Sequence, residues 1–288
     1  MQLVKIPNFL ITYHNQTLDL SKPHIMGILN VTPDSFSDGG KHNTLDAALY
    51  HAERMIAEGA RIIDVGGEST RPNASVVSEN EELDRVVAVV EKIRQNSDDD
   101  VWISVDTSSP KVIKACCDVG AGIWNDVRAL VRPQALKMAS ELQIPVILMH
   151  NRGEPTTMND LANYEDVLND VCQELQKRID SVVAGGVKRE NLILDVGFGF
   201  AKNYQQNIAW LHKFYRLHKF GLPVMVALSR KRFIGEMLKN ANLEHDINHR
   251  DMASAVAGLV AVQQGACIVR THDVKMMKQA LAVWQTVN

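Results

Sequence analysis

Cysteine is scarce. Four cysteines in 288 residues, two of them adjacent at Cys116 and Cys117, give no spacing for a disulfide framework. That excludes the small stapled folds and fits a reduced, cytoplasmic protein. A surplus of one charge is also missing: 31 Lys and Arg stand against 34 Asp and Glu, a formal charge of −3. No basic face for nucleic acid or for a membrane surface follows from such a balance. Long apolar runs are absent as well. The longest weakly polar stretch, Met252 to Val262, is far short of the ~20 residues that span a bilayer, and the N-terminus has no charged-then-apolar leader pattern. Finally, no Pro/Ser-rich linker or change of composition separates the chain into parts, so residues 1–288 are read as a single domain.

What is present is alternation. Hydrophobic residues make up 45% of the chain, enough for a large core. Residues of about 3–20 read as a β-hairpin around His14-Asn15-Gln16, ahead of a main fold over about 24–286. There, apolar strand-length runs alternate with helical stripes. The strands are read as Ile25 to Asn30, Ala60 to Gly67, Val101 to Thr107, Gly122 to Val127, Pro145 to His150, Asn191 to Gly197, Pro223 to Ser229 and Ala266 to His272. Helices between them carry stripes such as Leu45, Ala48, Leu49, Ala52, Met55 and Ile56, with Asn43 or Thr44 as cap. Ser78 and Glu81 have capping-box spacing. Pro110 is expected at the first position of one helix and Pro133 at the start of the next, while Gly185-Gly186 stops a third. Eight strand–helix units predict an α/β fold, the (β/α)8 barrel with an N-terminal β-hairpin. A doubly wound open sheet is the rival, but it needs a topological switch point and usually fewer repeats.

A barrel demands that function sit where strands end and βα loops begin. Those positions are polar here. The first strand ends at Asn30 and runs into Pro33, Asp34, Ser35, Asp38, Gly39 and Gly40, turn chemistry of the kind found in an active-site lid. Later strands deliver Gly66 to Pro72, Asp106, Asn125-Asp126, Asp195, Ser229-Arg230-Lys231, and Arg270 with His272. An Asp at one strand end is readily explained as a helix cap, and an Arg as a partner for a neighbouring carboxylate. Polar ends on seven of the eight strands are harder to leave partly desolvated without a ligand. Asp106, Asp195 and Asn125 are acceptors suited to a planar ring rich in N–H groups. Arg270, His272, Arg71 and Asn30 suit a phosphate, the charges being expected to sort by sign around the mouth.

The segments Thr32 to Gly40, Asp64 to Pro72, Asp195 to Lys202, Ser229 to Gly235 and Arg270 to Val274 resemble the signature segments of the dihydropteroate synthase family, in the family's order, over Ile25 to Val274. The resemblance implies a pterin-binding TIM barrel, a homodimeric transferase of folate biosynthesis. It would join p-aminobenzoate to (7,8-dihydropterin-6-yl)methyl diphosphate and release diphosphate. By position, the resemblance gives Asp106, Asn125, Asp195 and Lys231 to the pterin ring. Thr70, Arg270 and His272 go to the diphosphate, and Asn30 to a Mg²⁺ ion carried on it. Phe36, Thr70, Arg71, Pro72, Phe200 and Ser229 go to p-aminobenzoate, the site at which sulfonamides would compete. Asp106, Lys231, Arg270 and His272 are the expected catalytic residues. The sequence departs from the family pattern at Asn73, Asn151, Val196, Ala201, Ala227 and Thr271, none of which removes a proposed ligand. A pterin-dependent methyltransferase barrel shares fold and carboxylates but has no need of Ser229-Arg230-Lys231. A catalytically silent pterin-binding protein is the remaining alternative.

Overall fold

The computed structural model describes residues 8–31, 41–68, 78–154, 156–158 and 160–287. Phe36, Thr70, Arg71, Pro72 and Asn73, all singled out above, lie outside the described residues, as do the side chains of Asn43 and Thr44.

The chain opens with the expected hairpin, β1 (Leu10–Tyr13) and β2 (Gln16–Asp19), antiparallel with Tyr13 opposite Gln16. Ile11, Tyr13, Leu18 and Leu20 are buried, so the hairpin turns one face to the core. The Gln16 amide donates to the Val101 carbonyl at 3.3 Å, just ahead of a barrel strand. The hairpin therefore caps the N-terminal end of the barrel, away from the mouth.

The barrel strands are β3 (His24–Asn30), β4 (Ile62–Gly66), β5 (Trp102–Asp106), β6 (Ile123–Asp126), β7 (Val146–Met149), β8 (Leu192–Asp195), β9 (Val224–Ala227) and β10 (Ile268–Thr271). They are parallel and close on themselves, β10 pairing with both β9 and β3. Almost every strand residue is buried. A parallel sheet covered on both faces requires this, and it explains why the strands read as continuous apolar runs. β3 begins one residue earlier than expected, at His24, while the other seven strands are two or three residues shorter than expected, trimmed at both ends.

The helices of the outer ring follow local signals. In α2 (Glu79–Asn96), Ser78 and Glu81 form the capping box, and Val86, Val90 and Ile93 are buried. In α3 (Pro110–Asp118), Pro110 occupies the first turn and Ser109 Oγ accepts from Val112 N–H. α5 (Val167–Ala184) buries Val171, Leu175, Ile179 and Val182 and ends at Gly185. Two starts differ from expectation. α1 (Lys41–Ala57) begins ahead of the proposed caps, and α4 (Ala135–Leu142) begins two residues after Pro133, behind Gln134 at φ 66°. Strand and helix do not alternate one to one either. β8 is followed by α6 (Tyr204–His212) and a 3₁₀ turn over Phe214–Phe220, and β9 by both α7 (Arg232–Asn240) and α8 (Asp251–Gln263) before β10. The weakly polar Met252 to Val262 run lies in α8, and α9 (Val274–Val287) ends the described chain. Among the described residues no helix is long and apolar enough to cross a membrane. Cys116, Cys117, Cys172 and Cys267 are all free thiols.

Candidate active site

The strand ends converge on a cavity at the C-terminal mouth. Asp106, Asn125, Asp195, Lys231 and Arg270 supply its polar wall. Val127, Met149, Phe198, Phe200, Met225 and Ala227 supply the apolar remainder. About 40 Å³ of it is open, and Arg270 is part of its wall.

Arg270 is held by two carboxylates. Its Nε lies 2.6 Å from Asp64 Oδ2, and its Nη2 lies 2.8 Å from Asp106 Oδ2. Asp64, in the middle of β4, is fully buried; it also accepts from Ser104 Oγ at 2.6 Å and Asn125 Nδ2 at 3.0 Å. The expectation that charges sort by sign around the mouth is therefore corrected: the cation sits between the anions. Burial is the reason, since an arginine enclosed at a barrel mouth is tolerable only when paired and hydrogen-bonded.

Burial pushes the Asp106 carboxyl up to about 7, against the pull of Arg270 and with the help of nearby Asp64. Burial likewise raises Asp195, opposed by the Gly197 N–H, which donates to its Oδ1 at 2.8 Å, and by Lys231. For Arg270 burial disfavours the charge, but Asp64 and Asp106 outweigh it and hold the guanidinium firmly protonated. The Asp106 and Asp195 carboxyls, with raised pKa values, can switch between accepting and donating, and the Asn125 amide oxygen accepts. That suits a ring presenting several N–H groups.

Lys231 lies with its Nζ 4.1 Å above the Phe200 ring, a cation–π contact at the cavity edge. On the neighbouring side, Ser229 Oγ lies 2.9 Å from His272 Nδ1 and accepts from the His272 N–H at 3.1 Å, tying the ends of β9 and β10 together. Asn30 ends β3, half-buried, with its Oδ1 beside Gly66.

Some expected mouth residues do other work. Arg230 turns away: its Nε and Nη2 bind Asp251 at 2.7 and 2.8 Å, and its backbone adopts φ 59°. Asp126 is enclosed by Ser108 Oγ at 2.5 Å and by the backbone N–H groups of Arg128 and Leu130, so it shapes the loop after β6. Of the departures from the family pattern, Ala227 lines the cavity, Val196 is buried and Ala201 adopts φ 44°. Asn151 Nδ2 donates to the Gly153 carbonyl, and Thr271 Oγ1 to that of Asp273.

The residue that sequence reasoning passed over is Asp64, noted only as the start of a matching segment. A carboxylate inside the run Ile62-Ile63-Asp64-Val65 was the available signal, because a barrel interior cannot leave such a group unpaired.

Residues 26–272 match the model of the pterin binding enzyme family. Dihydropteroate synthase of Haemophilus influenzae is 50% identical over 94% of this chain and 96% of its own length. The chain belongs to the dihydropteroate synthase family. Among solved family members, Yersinia pestis dihydropteroate synthase in a sulfonamide drug complex superposes with a TM-score of 0.89 at 46% identity, covering 97% of this chain and 99% of that one. The Xanthomonas albilineans dihydropteroate synthase in complex with 7,8-dihydropteroate gives 0.85 at 40% identity, over 96% and 98%. The chain is accordingly a folate-biosynthesis transferase built on the family's barrel.

Proposed function

We propose that the cavity seats the pterin ring of (7,8-dihydropterin-6-yl)methyl diphosphate and that p-aminobenzoate attacks the methylene carbon at its edge, giving 7,8-dihydropteroate and diphosphate. The convergence of Asp106, Asn125, Asp195 and Lys231 on one cavity carries this reading. Asp195 takes the 2-amino and ring N–H edge, Asp106 and Asn125 take other ring positions, and Lys231 the carbonyl side. Arg270, at the cavity wall, and His272 take the diphosphate.

An arylamine is a weak nucleophile, its lone pair being shared with the ring, so departure of diphosphate carries most of the barrier. Arg270 and His272 stabilise the charge that develops on it. Asp106 stabilises the electron-poor dihydropterin methylene left behind, and no covalent enzyme intermediate forms. Ser229 holds His272 in place while flanking p-aminobenzoate together with Phe200, Lys231 and, from the undescribed segments, Phe36, Thr70, Arg71 and Pro72.

The donor set fits a Mg²⁺ ion that arrives with the diphosphate. Among the described residues no group of His, Cys, Asp or Glu is arranged to hold a metal by itself, whereas Asn30 offers one hard oxygen at the mouth. A diphosphate-bound Mg²⁺ with water in its shell needs no more from the protein. When bound, the ion supplies charge neutralisation on the leaving group.

The whole chain acts as one catalytic unit, placed in the cytoplasm and paired as a homodimer. Met252 and Val256, one turn apart on α8 and 62% and 54% exposed, support the pairing. Diphosphate release measured with both substrates and with each omitted tests the reaction. Release that needs both supports it; none with both present marks a silent pterin-binding protein.

A further inference from the structure

Lys202 has no part in the chemistry above, yet it is buried, 6% exposed, in the turn between β8 and α6. An ammonium has three donors and no acceptor. All of them are used: Nζ lies 3.0 Å from His150 Nδ1, 3.2 Å from the Gly197 carbonyl and 3.1 Å from the Phe200 carbonyl. His150 must then present a bare Nδ1 and carry its proton on Nε2, which lies 2.9 Å from Glu174 Oε2. Glu174 is gripped in turn by Arg152, whose Nε is 3.1 Å from its Oε1. Burial and the Lys202 charge push the His150 imidazole down to about 4, in keeping with a neutral ring. Burial lowers Lys202 itself to about 7, with Asp195 and Glu174 resisting.

The anchored segment is the cavity wall. Gly197 N–H donates to Asp195 Oδ1, and the Asp195 carbonyl accepts from His150 N–H at 2.9 Å. Gly197 adopts φ +70°, and a Cβ there would come within 2.0 Å of the His150 carbonyl oxygen, so the turn lies hard against the strand-end segment that carries His150. Phe198 and Phe200 line the cavity, and the Phe200 ring carries Lys231. We propose that Lys202, backed by His150 and Glu174, is a positioning residue for pterin binding. It pins the Gly197–Phe200 turn from both ends, so that the first N–H of the turn aims Asp195 and its last ring supports Lys231. A rigid turn presents the carboxylate ready-made, whereas a loose one must be ordered by each incoming ring.

The inference rests on the assignment of Asp195 to the pterin, so its test carries an arm for each. Lys202→Met keeps the length and apolar stem but removes the donors. Equilibrium binding of a dihydropterin without its diphosphate, scored per folded molecule, should weaken at least tenfold. KM for the pterin diphosphate should rise similarly while kcat falls less than threefold. A merely structural lysine would lower the amount of active enzyme and leave Kd and KM in place. His150→Gln, which leaves the ammonium and its two carbonyl bonds, should weaken binding about threefold and decides the matter if Lys202→Met does not fold. Unchanged pterin affinity in these variants, with affinity lost in Asp195→Asn, overturns the role of Lys202 and spares the pterin site. Unchanged affinity in Asp195→Asn overturns the site on which the inference stands.

Discussion

Arg270 Nε lies 2.6 Å from Asp64 Oδ2, a contact joining β10 to β4 across 206 residues of chain. Because Asp64 also accepts from Ser104 and Asn125, it is the hub of the mouth. Asp64→Asn leaves Arg270 with Asp106 alone and puts an amide donor among donors. Removing one member of a buried charged pair destabilises by roughly 3–5 kcal/mol. The surviving Asp106 contact places this variant at or just below the lower end of that range. Urea unfolding checks this; a midpoint and slope like those of the wild type would contradict the hub role.

Asp106 should titrate near 7 in the unliganded protein, since burial outweighs Arg270. Arg270→Met removes the opposing cation and should move the midpoint higher. Asp64→Asn removes a neighbouring anion and should move it lower. Carboxyl carbon shifts of labelled aspartate followed by NMR against pH read all three. A midpoint in the ordinary carboxylate range, unmoved by either variant, would show Asp106 to be solvated and unpaired.

His150 gives a stability signature of definite sign. Its folded-state pKa, about 4, lies below the ordinary 6.5, so the unfolded chain binds the extra proton and stability falls as pH drops from 6.5 towards 4. Asp106 acts oppositely: its raised pKa makes the fold the tighter proton binder, favouring it increasingly as pH falls from about 7 towards 3.8. Glu174, held down to about 2 by His150 and Arg152 despite its own burial, loses its contribution only below 4.5. The difference between wild type and His150→Gln isolates the imidazole. Chemical denaturation at several pH values should show that difference shrinking between pH 6.5 and 4. A constant difference would mean that His150 is protonated in the fold.

Most of the architecture was legible because its causes are local. Apolar runs marked the barrel strands, Ser78 with Glu81 marked a helix start, and Gly185 marked a helix end. The polar strand ends Asp106, Asn125, Asp195, Lys231 and Arg270 were legible too, since a barrel leaves only one end for them. Partners were not. Whether Arg270 meets phosphate or Asp64 depends on side-chain reach across strands far apart in sequence. Arg230 and Lys231 are neighbours, yet one turns out to Asp251 and the other in over Phe200. Lys202 looked like the end of a motif; its three acceptors are two backbone carbonyls and a histidine from another loop, which composition and periodicity do not encode.

Asp195 is the proposed anchor of the pterin ring. Isothermal titration of a dihydropterin lacking diphosphate into wild type and Asp195→Asn tests it most directly. A hydrogen bond to a charged group contributes roughly 1.5–3 kcal/mol, and the substituted amide can turn a donor toward the N–H groups of the ring. Affinity should be at least tenfold weaker in a variant that still folds and melts cooperatively. Equal affinity for the two proteins would contradict it.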